Sequence, residues 1–155
     1  MKSMKQIVQA TLFALVLAST PALGHGDETH HGSAIGQPGK SAKVSRTIKV
    51  EMNDAMRFVP ANVTVKRGET IRFLVTNSGR LKHEMVLGSG AELMVHAELM
   101  RKFPTMVHAD PNQVAVEPGQ TGELIWQFTK TGKIDFACLQ PGHFEAGMKG
   151  RVNVK

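Results

Sequence analysis

Three side chains that bind soft metals lie within eleven residues near the C-terminal end of the chain. They are Cys138, His143 and Met148, in the segment Cys-Leu-Gln-Pro-Gly-His-Phe-Glu-Ala-Gly-Met between two predicted strands. A thiolate and two imidazoles in a trigonal plane, with a weak axial thioether, are the ligand set of a blue-copper electron-transfer site. Soft sulfur favours Cu(I) and imidazole accepts Cu(II), so such a site holds both oxidation states. The segment therefore predicts a copper site and supplies all but one imidazole.

The second imidazole must come from elsewhere in the chain. His83 is the best candidate, because it precedes a short apolar strand that a sheet could bring beside the strand ending at Cys138. His96 and His108 are the competitors, but they lie in or after a predicted helical insertion, from which the loop is harder to reach. Met85 points the same way as His83 on the predicted strand, and we expect it to pack near the site rather than bind metal.

The N-terminal residues have the pattern of a secretory signal peptide. A basic start precedes an apolar run over residues 7–18, and small residues at positions 22 and 24 predict cleavage after Gly24. The apolar run is short for a bilayer span, which disfavours the alternative of a membrane anchor. We therefore predict a periplasmic protein from which residues 1–24 are removed. A lone cysteine is unusual in an oxidising compartment, where cysteines usually pair, so Cys138 is either buried and inert, paired with another molecule, or bound to a ligand.

Residues 25–45 contain no apolar periodicity and are rich in Gly, Ser and His, which predicts a flexible segment. After cleavage, His25 would carry a free α-amine beside its imidazole, and these two nitrogens can chelate Cu(II). His30 and His31 could add further nitrogen ligands. Two interpretations stay open: a second, looser copper site at these three histidines, or an ordinary polar tail.

Period-two alternation of apolar and polar residues predicts strands through most of the domain at residues 46–155. Turn signals such as Pro118-Gly119 separate these strands, and strands at such spacing favour an all-β sandwich. Residues 91–103 are instead rich in helix formers, which predicts one short helical insert that ends before Pro104.

The predicted helix also carries soft-metal side chains. His96 and Met100 are four residues apart and so share one helix face. One hypothesis is that they form a copper-collecting patch with Met94, Met106 and His108. The other hypothesis, which we favour, is that the helix packs on the sandwich through its methionines.

The Cys-x4-His-x4-Met spacing after a strand, with a histidine upstream, resembles the cupredoxins, the family of plastocyanin and azurin. The segment over residues 56–73 is similar to the first strands of that family, and the similarity covers residues 47–155. The resemblance implies a Greek-key β-sandwich with copper at one end. The implied copper ligands are His83, Cys138, His143 and Met148.

Among cupredoxins, the chain is most similar to periplasmic members of the bacterial copper-tolerance group, which share a Lys-His-Glu-Met stretch, a helical insert and a His-rich N-terminus. Many cupredoxins have Asn directly after the first histidine ligand, where its side chain ties the two ligand loops together. This chain has Glu84 there, so the hydrogen bonds around the site must differ, and such bonds tune a metal site.

The resemblance implies copper tolerance or copper handling with one-electron redox chemistry. The alternative is an electron shuttle for respiratory or photosynthetic partners. We do not expect an enzyme, because histidines flank the copper cysteine in multicopper oxidases, whereas Ala137 and Leu139 flank it here.

The net charge of +6 indicates a mildly basic surface. The positive residues are scattered along the sequence, and no basic stripe interleaved with aromatic residues suggests a nucleic-acid partner. The expected partners are copper ions and a redox partner protein, whose approach a mildly positive surface would steer. No membrane contact is expected after signal cleavage.

Overall fold

Ten strands form two facing sheets in the computed structural model, which describes residues 35–104 and 110–155. The strands of the first sheet are β1 (Gln37–Pro38), β2 (Arg46–Asn53), β3 (Arg57–Val59), β5 (Thr70–Asn77) and β8 (Thr121–Gln127). The strands of the second sheet are β4 (Asn62–Val65), β6 (His83–Gly88), β7 (Gln113–Val116), β9 (Gly132–Ala137) and β10 (Lys149–Val154). The strand orders are β1-β8-β5-β2-β3 and β4-β10-β9-β6-β7.

The inward side chains of the two sheets form one main core. β5 is parallel to β2 and antiparallel to β8, so this central strand is buried along most of its length. Phe58 of the first sheet meets Phe136 of the second edge to face, with ring centroids 5.0 Å apart. The predicted all-β sandwich is confirmed, because period-two alternation places the apolar side chains of each strand in this core.

A helix of 13 residues, α1 (Gly90–Lys102), follows β6 and packs against β6 and β9. Its first turn is closed by reciprocal bonds: Ser89 Oγ accepts from the Glu92 N–H (3.3 Å), and the Glu92 carboxylate accepts from the Ser89 N–H (2.8 Å). The predicted helical insert is therefore confirmed. Among the described residues, no helix combines the length and apolar character needed to cross a membrane. The buried side chains of α1 are Leu93, Ala97 and Met100.

Residues 35–45, which the sequence assigned to a flexible segment, lie against the first sheet in the structure. Ile35 is buried, and its carbonyl accepts a hydrogen bond from the Trp126 indole N–H (3.0 Å). Gly36 has φ +121°, and a Cβ there would overlap the carbonyl of Gln127. This packing depends on one buried apolar side chain, close approaches at glycines and main-chain pairing with β8, so it leaves no apolar periodicity for sequence reasoning to detect. Residues 25–34 and the predicted signal peptide lie outside the described residues.

The strand directions give the sandwich two different ends. At the end of β5, the Asn77 side-chain amide donates to Val116 O (2.9 Å), and Val116 pairs with His83 at the start of β6. We call this the site end. We call the opposite end, where β5 begins at Thr70 beside Gln127, the far end.

Candidate metal centre

Three of the predicted ligands meet at the site end. The Nδ1 atoms of His83 and His143 lie 3.2 Å apart. The Cys138 Sγ lies 3.9 Å from Nδ1 of His83 and 3.3 Å from Nδ1 of His143. These donor atoms all lie within 4.8 Å of one another. Two imidazole nitrogens and one sulfur therefore face a common point, as the binding of a single metal ion requires.

Strand pairing places His83 beside Cys138. His83 is the first residue of β6, and Cys138 directly follows β9. The two strands are antiparallel neighbours in which Val86 faces Ala137. Both His83 and Cys138 are fully buried. The sheet itself therefore fixes two donors that are far apart in the sequence.

A tight loop from Cys138 to Met148 carries the other two predicted ligands. The N–H of His143 donates to Gln140 O (2.9 Å), and the N–H of Met148 donates to His143 O (3.0 Å). Gly142 has φ +86°, the left-handed conformation that favours glycine. The N–H of Cys138 donates to Met148 O (3.1 Å), so the main chain holds the buried Met148 next to the cysteine.

Asp54, in the turn after β2, holds the outer edge of the His83 ring. Its Oδ1 lies 3.1 Å from His83 Nε2. Its Oδ2 accepts from the Arg80 N–H (2.8 Å), which is the main cause that lowers the pKa of Asp54. A carboxylate at Nε2 favours the proton there and leaves the Nδ1 lone pair facing the other donors. Sequence reasoning missed Asp54, because only the pairing of β2 with β5 brings its turn beside the segment before β6.

Glu84 joins the start of β6 to the ligand loop. Its backbone N–H donates to Cys138 Sγ (3.4 Å). Its carboxylate accepts from the Leu139 N–H (3.1 Å) and from the side-chain amide of Gln140 (3.3 Å). The chemical group differs from the Asn of many cupredoxins, as the sequence indicated. The carboxylate still connects the two segments that carry the donors.

A family model for copper-binding proteins of the plastocyanin/azurin family matches residues 44–155. The chain belongs to this family. It is 50% identical over 153 residues to the copper-resistant cuproprotein CopI of Rubrivivax gelatinosus, covering 94% of this chain and 92% of that protein. It is 37% identical over 178 residues to the copper-resistant cuproprotein CopI of Pseudomonas aeruginosa, covering 96% of this chain and 93% of that protein. The predicted resemblance to cupredoxins of the bacterial copper-tolerance group is thus confirmed.

Solved structures show the same fold at low sequence identity. Reduced auracyanin from Roseiflexus castenholzii has a TM-score of 0.62 at 21% identity and covers 72% of this chain and 98% of its own. An azurin from Methylomonas sp. strain J has a TM-score of 0.56 at 17% identity and covers 72% of this chain and 99% of its own. These similarities support the cupredoxin sandwich.

The donor set fits the copper of this family. The structure offers two imidazoles and a cysteine sulfur within 4.8 Å of one another, and no carboxylate belongs to that group of donors. Soft sulfur with imidazole is suited to copper, whereas carboxylate and carbonyl oxygens suit magnesium or calcium. Copper is therefore the cofactor that this cupredoxin takes.

Burial changes the protonation of two donors in the metal-free site. Burial raises the pKa of the Cys138 thiol to about 12, and the N–H groups of Glu84 and Gln140 oppose this only in part. Burial, with the nearby His83, lowers the pKa of His143. The metal-free site thus holds a thiol and a neutral imidazole. Because a metal binds the thiolate, metal uptake must release the proton of Cys138.

The remaining candidates have separate outcomes. Met100 is buried in a second core cluster between α1 and the second sheet, whereas Met94 is 58% exposed, so the two methionines do not share a surface. This placement favours the packing hypothesis for α1. Met85 is buried in the main core, in the same cluster as Cys138 and Met148. The candidates that lie outside the described residues are Met106, His108, His25, His30 and His31.

Proposed function

We propose that this cupredoxin is a periplasmic copper-tolerance protein that binds one copper ion through His83, Cys138, His143 and Met148. The observation that carries the proposal is the convergence of two Nδ1 atoms and one Sγ within 4.8 Å. The role is supported by relatives named as copper-resistant cuproproteins, which align with this chain along nearly its whole length. The predicted signal peptide supports the periplasmic location.

Each proposed ligand has its own part. His83, Cys138 and His143 are the strong ligands, and Met148 is the weak thioether ligand. Bound copper supplies one-electron exchange between Cu(I) and Cu(II). The protein contributes the fixed positions of the donors: strands hold His83 and Cys138, and main-chain hydrogen bonds hold His143 and Met148.

The surroundings of the donors exclude water on one side only. His83 and Cys138 are fully buried, whereas His143 is partly exposed. The His143 ring is therefore the donor through which electrons would pass between the site and a partner. The buried side limits rearrangement of the donors between the two oxidation states, since Asp54 and Glu84 fix it by hydrogen bonds.

Copper tolerance and electron shuttling would use the same site. The His-rich segment with His25, His30 and His31 favours copper handling, because a plain electron carrier needs no second copper site. We therefore also propose that these three histidines bind a second copper ion. Catalysis is not proposed, because Ala137 and Leu139 occupy the positions beside Cys138 where a multicopper oxidase has histidines.

Copper titration tests the ligand assignment. We expect the purified protein with Cu(II) to develop a strong thiolate-to-copper band at one equivalent per chain, and we expect Cys138→Ala to abolish it. Met94→Leu is the matched control, because Met94 lies exposed on α1. A colourless complex would contradict the assignment.

A deletion strain tests the physiological role. Sensitivity to added copper, restored by the wild-type gene and not by Cys138→Ala, is the expected outcome. A respiratory defect at ordinary copper levels, without copper sensitivity, would favour the electron shuttle. Replacement of His25, His30 and His31 by Ala should lower copper tolerance or the copper bound per chain, and no change in either would exclude the second site.

A further inference from the structure

Positive charge is concentrated at the far end of the sandwich, although it is scattered along the sequence. Six exposed lysine and arginine residues lie on the turns and strand ends that meet there. We call this group the basic patch. Its members are Lys43, Lys66, Arg67, Lys130, Lys133 and Lys155.

Main-chain hydrogen bonds join the turns that carry the basic patch. The N–H of Arg67 in the β4–β5 turn donates to Lys155 O at the C-terminus (2.7 Å). The N–H of Gly68 in the same turn donates to Phe128 O, two residues before Lys130 (2.6 Å). The topology therefore brings together charges from separate parts of the chain, which explains why the sequence alone did not reveal the patch.

Few acidic side chains compensate these charges. Glu69 is the acidic residue of these turns, and it pairs with Arg46, outside the patch (3.3 Å). Among the described residues, no member of the patch forms a salt bridge. Nearer the site end, in contrast, Lys82 pairs with Glu117 at 2.7 Å. The far end thus presents net positive charge to solvent.

The basic patch lacks the apolar centre that a specific protein interface needs. The large exposed apolar side chains of the described residues belong to other regions, such as Leu81 before β6 and Val95, Leu99 and Phe103 around α1. Protein interfaces combine a mainly apolar, aromatic-rich core with a polar rim. Binding to an anionic membrane surface needs only clustered Lys and Arg, and each contributes to the attraction. Charge without apolar anchors therefore favours a lipid surface.

We propose that the basic patch binds the anionic headgroups of a phospholipid membrane surface and directs the site end away from it. β5 has eight residues, and at about 3.3 Å each they separate the two ends by about 26 Å. The copper centre would then face the aqueous space. The sequence predicted no membrane contact after signal cleavage, whereas this proposal gives the protein a peripheral and reversible contact with a membrane surface.

Vesicle co-sedimentation tests this proposal without reference to copper tolerance. The copper-loaded exported protein is mixed with vesicles of phosphatidylcholine and phosphatidylglycerol, or of phosphatidylcholine alone. We expect binding to the anionic vesicles only. We also expect it to weaken steeply with added salt, because the screening length falls to about 8 Å at physiological ionic strength.

Paired variants locate the binding surface. Lys66→Gln with Lys130→Gln should lower the affinity for anionic vesicles by about 25-fold, because each basic residue near such a surface contributes about fivefold. Lys49→Gln with Lys102→Gln removes the same charge outside the patch and should keep nearly the wild-type affinity. Both variants should retain the copper band, because all four side chains are exposed and none is a proposed ligand.

Absence of binding to anionic vesicles would overturn the proposal. Equal loss of binding in the two paired variants, or binding that is insensitive to salt, would overturn it as well. If the patch variant instead slows electron exchange with a soluble acidic redox protein and leaves vesicle binding unchanged, the patch is a protein-docking surface and the membrane proposal fails.

Discussion

The two sides of the metal centre are built in different ways. The strand side is the start of β6, with His83 and Glu84, and the loop side is residues 139–148, with His143. The Asp54 carboxylate fixes the strand side, which is buried, and the Glu84 carboxylate joins it to the start of the loop side. Main-chain turns fix the loop side, and His143 is partly exposed. From this difference we infer that the strand side sets the affinity and the reduction potential of the proposed copper site, whereas the loop side sets access to the metal.

Removal of each imidazole in turn should have the largest effect on the copper band, and it tests whether the two sides differ in access. Both His83→Gly and His143→Gly should lose the thiolate-to-copper band of the wild type. Added imidazole should restore a band in His143→Gly, because that ring lies partly in solvent and external imidazole can enter its place. It should not restore His83→Gly, whose ring is fully buried. Visible titration with imidazole measures both, and equal rescue of the two variants would remove the distinction in access.

Loss of the hydrogen bond between Asp54 and the buried His83 ring should have the second largest effect, a decrease in copper affinity. Asp54→Ala removes the acceptor 3.1 Å from His83 Nε2. Loss of such an outer partner lowers metal affinity by about 10–100-fold. Asp54→Asn keeps an acceptor oxygen and should lose less affinity than Asp54→Ala. Competition titration against a copper chelator measures the difference, and an unchanged affinity in Asp54→Ala would show that the sheet alone orients His83.

The loop side could be predicted from the sequence more fully than the strand side. Cys138, His143 and Met148 lie on one short segment, so their spacing alone indicates a common site. His83 followed only from the need for a second imidazole. Asp54 gave no signal, because its contact with His83 depends on the parallel pairing of β2 with β5, which is a property of the folded sheet.

In the rest of the fold, too, local patterns could be predicted from the sequence, whereas contacts between distant segments could not. Alternation and helix formers predicted the strands and α1, because these patterns are local. The packing of residues 35–45 and the clustering of charge at the far end depend on which turns meet in space. Glu84 was predicted only in part. The sequence showed that Glu replaces the usual Asn, but it did not show the hydrogen bonds of Glu84 to Leu139 and Gln140.

A charge change on the strand side should shift the reduction potential. Both carboxylate oxygens of Glu84 accept N–H donors beside Cys138, an arrangement suited to the ionised form. A buried negative charge favours Cu(II) over Cu(I), so Glu84→Gln should raise the potential, on the order of the 59 mV that equals a tenfold change for one electron. Cyclic voltammetry measures the shift. Glu145→Gln, an exposed change on the loop side, is the control, and an equal shift there would contradict the assignment of potential to the strand side.

The smallest effect on the copper centre should come from α1. Met100 is 3% exposed in the second core cluster, against which Phe144 of the loop side packs. Met100→Ala should destabilise the protein by about 2–5 kcal/mol through the cavity it leaves, measured by urea unfolding of the metal-free form. The exposed Met94→Ala should change stability by less than about 0.5 kcal/mol. The copper band of Met100→Ala should stay near that of the wild type, because the donors are held by strands and by turns within the loop. A copper band that is lost or shifted in Met100→Ala but not in Met94→Ala would instead make α1 a third support of the donors, since α1 would then reach His143 through Phe144.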